Sequence, residues 1–212
     1  YIVARMVEAA GLRPSDRVLE IGAGSGYAAA VMAELAARVY TIERHPALAR
    51  LAEERLKTLG YCNVDVRIGD GTLGWPDAAP FDAIIAAASG PRVPESLKQQ
   101  LAVGGRLIMP VGETLHQQHL VRLTRTAEDA YESETLDEVM FVPLIGAQGW
   151  EEAREPRRQA RVSPPRTIPH MIRAAARSLP EPEDGAFADA FERFADRRVV
   201  LLGEASHGTS EF

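Results

Sequence analysis

Apolar positions along this chain switch repeatedly between helical spacing and short continuous runs. Residues 1–10 (YIVARMVEAA) place apolar side chains at helical spacing, with Gly11 just beyond as a stop. After a turn at Arg13-Pro14-Ser15-Asp16, RVLEIG reads as a short buried strand ending in glycine, and the Ala- and Leu-rich YAAAVMAELAA (27–37) predicts a helix. VYTIE (39–43) is a second strand. Pro46 opens a further helix at its first position, and LARLAEERLKTL continues it to Gly60. VDVRIG (64–69), FDAIIAAA (81–88) and GGRLIMPVG (104–112) are three more strands, with a helix at PESLKQQL (94–101) before the last of them. HLVRLTR (119–125) and EVMFVPL (138–144) read as a closing antiparallel pair. Alternating strands and helices imply an α/β, doubly wound, mostly parallel sheet with helices on both faces. The continuous apolar runs agree, because such strands are covered on both sides.

The pattern changes after Trp150. Residues 151–168 are charged, proline-bearing and poor in apolar side chains, and read as a linker between a first domain (1–150) and a second segment (169–212). That segment shows helical patterns at HMIRAAARSL and ADAFERFA, then a strand and polar loop at RRVVLLGEASHGTSEF, too little to build a core alone. The chain starts at Tyr1 inside a helical pattern and stops at Phe212 inside a motif, so both ends read as cut.

Composition narrows the picture. In 212 residues, 46% are hydrophobic and 25% charged, as expected of a globular chain. A net charge of −6 without a long Lys/Arg run gives no electrostatic reason to bind nucleic acid or an anionic membrane. No apolar run is long enough to span a bilayer. The single cysteine, Cys62, rules out an internal disulfide, suits a cytoplasmic location and reads as a small packed side chain.

The strongest chemical signal is Val18-Leu19-Glu20-Ile21-Gly22-Ala23-Gly24-Ser25-Gly26-Tyr27, a strand running through three alternating glycines into a helix. Glycine permits a sharp turn and close approach of a ligand to the main chain, and the helix start offers unpaired N–H groups. Glu43, seventeen residues past Gly26 at the end of the next strand, is placed to accept the hydroxyls of a ribose. Asp70, in Gly69-Asp70-Gly71, closes the third strand and could hold an adenine amino group. Gly24-Ser25-Gly26-Tyr27-Ala28-Ala29 also fits a dinucleotide loop. Glu20 weighs against that reading, since an acid there opposes a diphosphate but could accept an ammonium. Ser89-Gly90, after the fourth strand, marks a possible substrate edge.

VLEIGAGSGY, VYTIER, RIGDGTLGWP, APFDAII, LAVGGRLIMPVG and FVPLIG resemble, in order and spacing, the protein-L-isoaspartate O-methyltransferase family over about residues 1–146. The resemblance implies the class I methyltransferase Rossmann-like fold, S-adenosyl-L-methionine as cofactor, and methylation of the free carboxylate of L-isoaspartyl residues in damaged proteins and peptides. It implies that Glu20, Gly22, Gly24, Ser25 and Gly26 face the methionine part, Glu43 the ribose, and Asp70 and Gly71 the adenine, with Gln118 near the active site. The family also carries a Thr/Ser-Ile-Ser-Gln-Pro-type segment ahead of the helix that begins here at Tyr1, and that segment does not stand in these 212 residues. An alternative reading is therefore a non-catalytic cofactor-binding module fused to a hydrolase. VVLLGEASHGTSEF resembles the opening of the erythromycin esterase-like family, in which Glu204 and His207 match a Glu and a His and the His helps activate water. His116 and His119 read as a solvated loop rather than a metal site, His45 and His170 as surface residues, and Trp75 and Trp150 as packing residues.

Overall fold

A computed structural model describes residues 1–114 and 116–151. The expected linker beyond Glu151, the segment 169–212, His170, Glu204 and His207 all lie outside the described residues. Helix α1 (Ile2–Ala10) ends at Gly11, whose left-handed backbone (φ 56°) turns the chain into β1 (Arg17–Ile21). There follow α2 (Tyr27–Ala33), β2 (Arg38–Glu43), α3 (Pro46–Thr58, with proline in its first turn), β3 (Val64–Ile68) and β4 (Phe81–Ala86). Two 3-10 turns, Gly71–Leu73 and Pro76–Ala78, lie between β3 and β4. Helix α4 (Glu95–Gln99) leads into three long strands, β5 (Leu101–Thr114), β6 (Gln117–Ala127) and β7 (Ala130–Val139).

The seven strands form one sheet in the order β3-β2-β1-β4-β5-β6-β7. β1 to β5 are parallel; β6 runs antiparallel to β5, and β7 to β6. The order reverses between β1 and β4, and the carboxyl ends of those strands are where open α/β sheets hold ligands. Both faces are packed, with strict alternation. Val18, Val39, Ala83, Ile85 and Ile108 meet Met6 and Ala10 of α1, Ala29 and Met32 of α2 and Leu56 of α3. Leu19, Ile21, Ile42, Ile84, Leu107 and Met109 meet Leu97 of α4 and Leu144 on the other face. Fully burying each such side chain contributes roughly 1.5–3 kcal/mol, so the apolar runs account for the double-sided core.

Four details differ from the sequence reading. α2 stops at Ala33 rather than running to residue 37, because the chain must descend into β2, where Ala37 and Arg38 donate backbone N–H bonds to the carbonyl of Asp16. α4 is only five residues long, since Leu101 is drawn into β5 beside Phe81. The second face is thus covered mainly by α4, the 3-10 turns and the chain around Leu144, not by long helices. The antiparallel partner of β6 is AYESETLDEV (130–139), not residues 138–144. Being an edge strand, it is largely exposed and has no apolar pattern to betray it. Finally, Cys62 is exposed, because the turn between α3 and β3 points it outward.

Helix α1 runs so that Gly11 lies at the amino edge of the sheet, where its carbonyl accepts from Arg106. Its first turns approach the carboxyl edge, where Arg5 pairs with Asp137 of β7 at 2.9 Å.

Candidate active site at the carboxyl edge of the sheet

The loop after β1 uses its glycines differently. Gly22, Gly24 and Gly26 all have positive φ (96°, 51° and 84°). At Gly26 an added Cβ would press on Ala52 and Leu56 at 3.4 Å, so this glycine lets α3 pack against the start of α2. At Gly24 a Cβ would meet nothing within 4 Å, so open space lies over the main chain there. Ser25 is exposed and its hydroxyl accepts from Tyr27 N at 3.4 Å.

Two carboxyl groups lie beneath this loop on one face of the sheet. Glu43, 5% exposed at the end of β2, accepts from Gly24 N at 3.0 Å through Oε2 and from His45 N at 2.9 Å through Oε1. It thereby ties the glycine loop to the start of α3. Each carboxylate oxygen has a second lone pair, so both can accept a further hydroxyl. Glu20, 1% exposed, pairs in register with Thr41 of β2. Thr41 donates its hydroxyl to Glu20 Oε2, while Oε1 is buried without a partner. Burial, helped by the charge of Glu43 and opposed by the Thr41 hydrogen bond, pushes the Glu20 carboxyl up to about 8. Nothing in the chain's sequence marks Thr41 as a partner; only the β1–β2 register brings it there.

Asp70 caps the first 3-10 turn. Its Oδ1 accepts from Thr72 N at 2.8 Å and Thr72 Oγ1 at 2.7 Å, and its Oδ2 from Ala147 N at 2.8 Å. Partial burial raises its pKa, but these hydrogen bonds and the charge of Arg44 outweigh it, and the group titrates below its ordinary value. Gly71 packs so tightly that a Cβ would overlap Ile21 Cγ2. Gly71→Ala is expected to destabilise the fold by roughly 1–3 kcal/mol, measured by urea unfolding.

Beyond β4, Ser89 and Gly90 extend the sheet edge. Ser89 N donates to Val142 O at 2.8 Å and Ser89 O accepts from Leu144 N at 2.7 Å. Its hydroxyl is buried with no partner. Gln118, 2% exposed, grips the backbone of Phe141 from both sides, donating to its carbonyl at 3.0 Å and accepting from its N–H at 2.7 Å. A cleft of about 700 Å³ opens past Gly90, lined by Pro91, Arg92, Val93, Val111 and Gln148 among others; the glycine loop is not part of it.

Of the remaining sequence expectations, His45 is exposed at the N-cap of α3. His116 is exposed, and His119, also exposed, lies within β6 rather than in a loop. Trp75 packs edge-on against Tyr40 (5.4 Å between ring centroids), with Arg67 over its ring. Trp150 is half-buried and its Nε1 is buried without a partner.

An adenosine ligand with an amino-acid tail matches what this edge lacks. The orphaned oxygen of Glu20 suits an ammonium, the space over Gly24 admits a ligand against the backbone, and the spare lone pairs of Glu43 suit hydroxyl groups. Fold and site together are those of a class I, S-adenosylmethionine-dependent methyltransferase. Within that class, the chain belongs to the protein-L-isoaspartate(D-aspartate) O-methyltransferase family, which matches residues 1–149. Two curated relatives from Rhodopseudomonas palustris carry this name. Protein-L-isoaspartate O-methyltransferase of one strain is 59% identical over 161 residues, covering 76% of this chain and 74% of that protein. Protein-L-isoaspartate O-methyltransferase 1 of another strain is 60% identical over 158 residues, covering 74% and 64%. A solved protein-L-isoaspartate O-methyltransferase superposes with a TM-score of 0.66 at 31% identity, over 70% of this chain and 48% of that one. A second, from Plasmodium falciparum and in complex with S-adenosyl-L-homocysteine, has a TM-score of 0.57 at 27% identity, over 68% and 71%. The chain thus spans about two thirds to three quarters of these curated relatives and about half of the first solved one.

Among the described residues no helix is long and apolar enough to cross a membrane.

Proposed function

We propose that this chain methylates the free carboxylate of L-isoaspartyl residues in damaged proteins and peptides. The observation that carries the reading is the buried Glu20 at the foot of the glycine loop, with one oxygen unpartnered and Glu43 fastened to Gly24 beside it. Bound there, S-adenosylmethionine supplies an electrophilic methyl on a sulfonium. Glu20 receives its ammonium, and Gly22, Gly24, Ser25 and Gly26 line its methionine part. Glu43 accepts the ribose hydroxyls. Asp70 and Gly71 border the adenine, with Asp70 already shaped by Thr72 and Ala147. Ser89 and Gly90 border the substrate, while Gln118 braces Phe141 behind them.

The substrate carboxylate is ionised at neutral pH, so no side chain has to remove a proton. The protein's contribution is to align the reacting groups and to exclude water. Residues 1–150 form the cofactor-binding domain in this reading, residues 151–168 a linker, and residues 169–212 the start of an erythromycin esterase-like domain, which rests on the Glu204 and His207 motif alone. A cytoplasmic location is proposed from the single cysteine. The test is transfer of labelled methyl to an isoaspartyl peptide. Base-labile label above that on the matched aspartyl peptide is expected, and equal labelling of the two would sink the proposal.

A further inference from the structure

We propose that Gln148 is a positioning residue that couples the cofactor end of the site to its substrate end, so that each ligand tightens the other; this rests on the function proposed above. The chain from Val142 to Trp150 touches both ends. Val142 and Leu144 pair with the backbone of Ser89 on the substrate side. Ala147 N donates to Asp70 on the adenine side, and Gln148 N donates to Thr72 Oγ1 at 3.1 Å.

This strap is stiff. Trp150 N donates to Leu144 O at 2.8 Å and Gly149 N to Gly146 O at 3.2 Å, folding it on itself. Gly146 has no room for a Cβ because Asp70 Oδ1 and Thr72 Cγ2 press on it, nor has Gly149, where the carbonyl of Leu144 blocks the place. A pinned segment of this kind transmits a displacement instead of absorbing it.

Gln148 adds the cross-link. Its Oε1 accepts from Ser96 N at 3.2 Å and its Nε2 donates to Ser96 Oγ at 2.5 Å. One residue therefore holds Thr72, next to Asp70, to Ser96, at the start of α4. Ser96 lies a few residues after Ser89 and Gly90, and the intervening Pro91, Arg92 and Val93 line the same cleft as Gln148. A displacement of Asp70 and Thr72 on adenine binding is passed through Gln148 to the segment that borders the substrate. By linkage the effect is reciprocal.

The experiment is titration calorimetry of S-adenosylhomocysteine with and without a saturating isoaspartyl peptide. In the unaltered chain the peptide is expected to lower Kd by about 5-fold or more. Gln148→Ala keeps the backbone bond to Thr72 and removes only the link to Ser96. It should bring the ratio to within about twofold of one, with Tm and the peptide-free Kd little changed. Ser96→Ala, which leaves the strap intact, should reduce the ratio in the same direction. Retention of the full ratio in both variants, or a ratio of one in the unaltered chain, would overturn the coupling. Failure of the unaltered chain to bind S-adenosylhomocysteine at all would overturn the proposed function with it.

Discussion

Glu43→Ala is expected to weaken binding of S-adenosylhomocysteine by roughly 10- to 100-fold, the loss that follows when a charge-assisted contact worth about 1.5–3 kcal/mol is removed. Two roles of Glu43 contribute. In the proposed function it offers lone pairs to the ribose, and it holds Gly24 N and His45 N, so the glycine loop loses its tether when the carboxylate goes. Glu43→Gln separates the roles only in part, because one amide N–H must then face a backbone N–H. A ligand lacking both ribose hydroxyls separates them fully. It should lose on Glu43→Ala only the part due to the loop's tether to Gly24 and His45, less than the hydroxylated ligand loses. If the dideoxy ligand loses as much on mutation as the parent does, Glu43 acts through the loop alone. NAD serves as the control for the dinucleotide reading of the loop and should show no Glu43-dependent binding.

The second large effect concerns pH. With no cofactor bound, the folded chain holds a proton on Glu20 up to about pH 8, whereas the unfolded chain releases it near 4.5. Raising the pH between those values favours the unfolded state. The contribution of Glu20 is therefore complete below about 4.5 and is lost as pH climbs through 8, a swing on the order of 5 kcal/mol at most. Urea unfolding across this range should show the decline. Glu20→Gln should flatten the decline and make the variant several kcal/mol more stable than the parent at pH 9, while weakening its hold on the cofactor's ammonium. A parallel pH dependence in parent and variant would remove Glu20 as the cause. The trade is the familiar one, in which a buried group costs the fold stability and serves the ligand.

Where the chain buries both faces of a strand, its pattern is legible. RVLEIG, VYTIE and FDAIIAAA are strands within a residue or two, and Pro46 and Gly60 bracket α3 as their backbone chemistry predicts. The turn at Gly22, Gly24 and Gly26 is equally plain, because its positive φ angles impose glycine on the main chain itself, and Glu43 lies beside it as its place at the end of β2 predicts. What escaped was set by tertiary contact. β7 is a polar edge strand that pairs only because the Ala127–Ala130 hairpin presents it to β6. Thr41 meets Glu20 through strand register, and Gln148 meets Ser96 through a loop that returns across the sheet edge. In that last case Gly146 and Gly149, spaced around Ala147 and Gln148, were the visible trace of a tightly packed turn. Cys62 faces outward against the sequence expectation, because a residue after a helix-ending glycine carries no periodic signal to say which way it faces.

The two halves of the sheet also differ in how far apart their partners lie along the chain. β5, β6 and β7 are joined by tight hairpins, whereas β1 and β4 are neighbours in space across an interval such as the 65 positions that separate Arg17 from Asp82. Local pairings incur little loop-closure entropy, and distant ones must wait for collapse to reward them. The hairpin half is therefore expected to acquire hydrogen-exchange protection first during refolding. The β1–β4 seam, which runs out to Gly22 beside Ala87, should be the last part of the sheet to close.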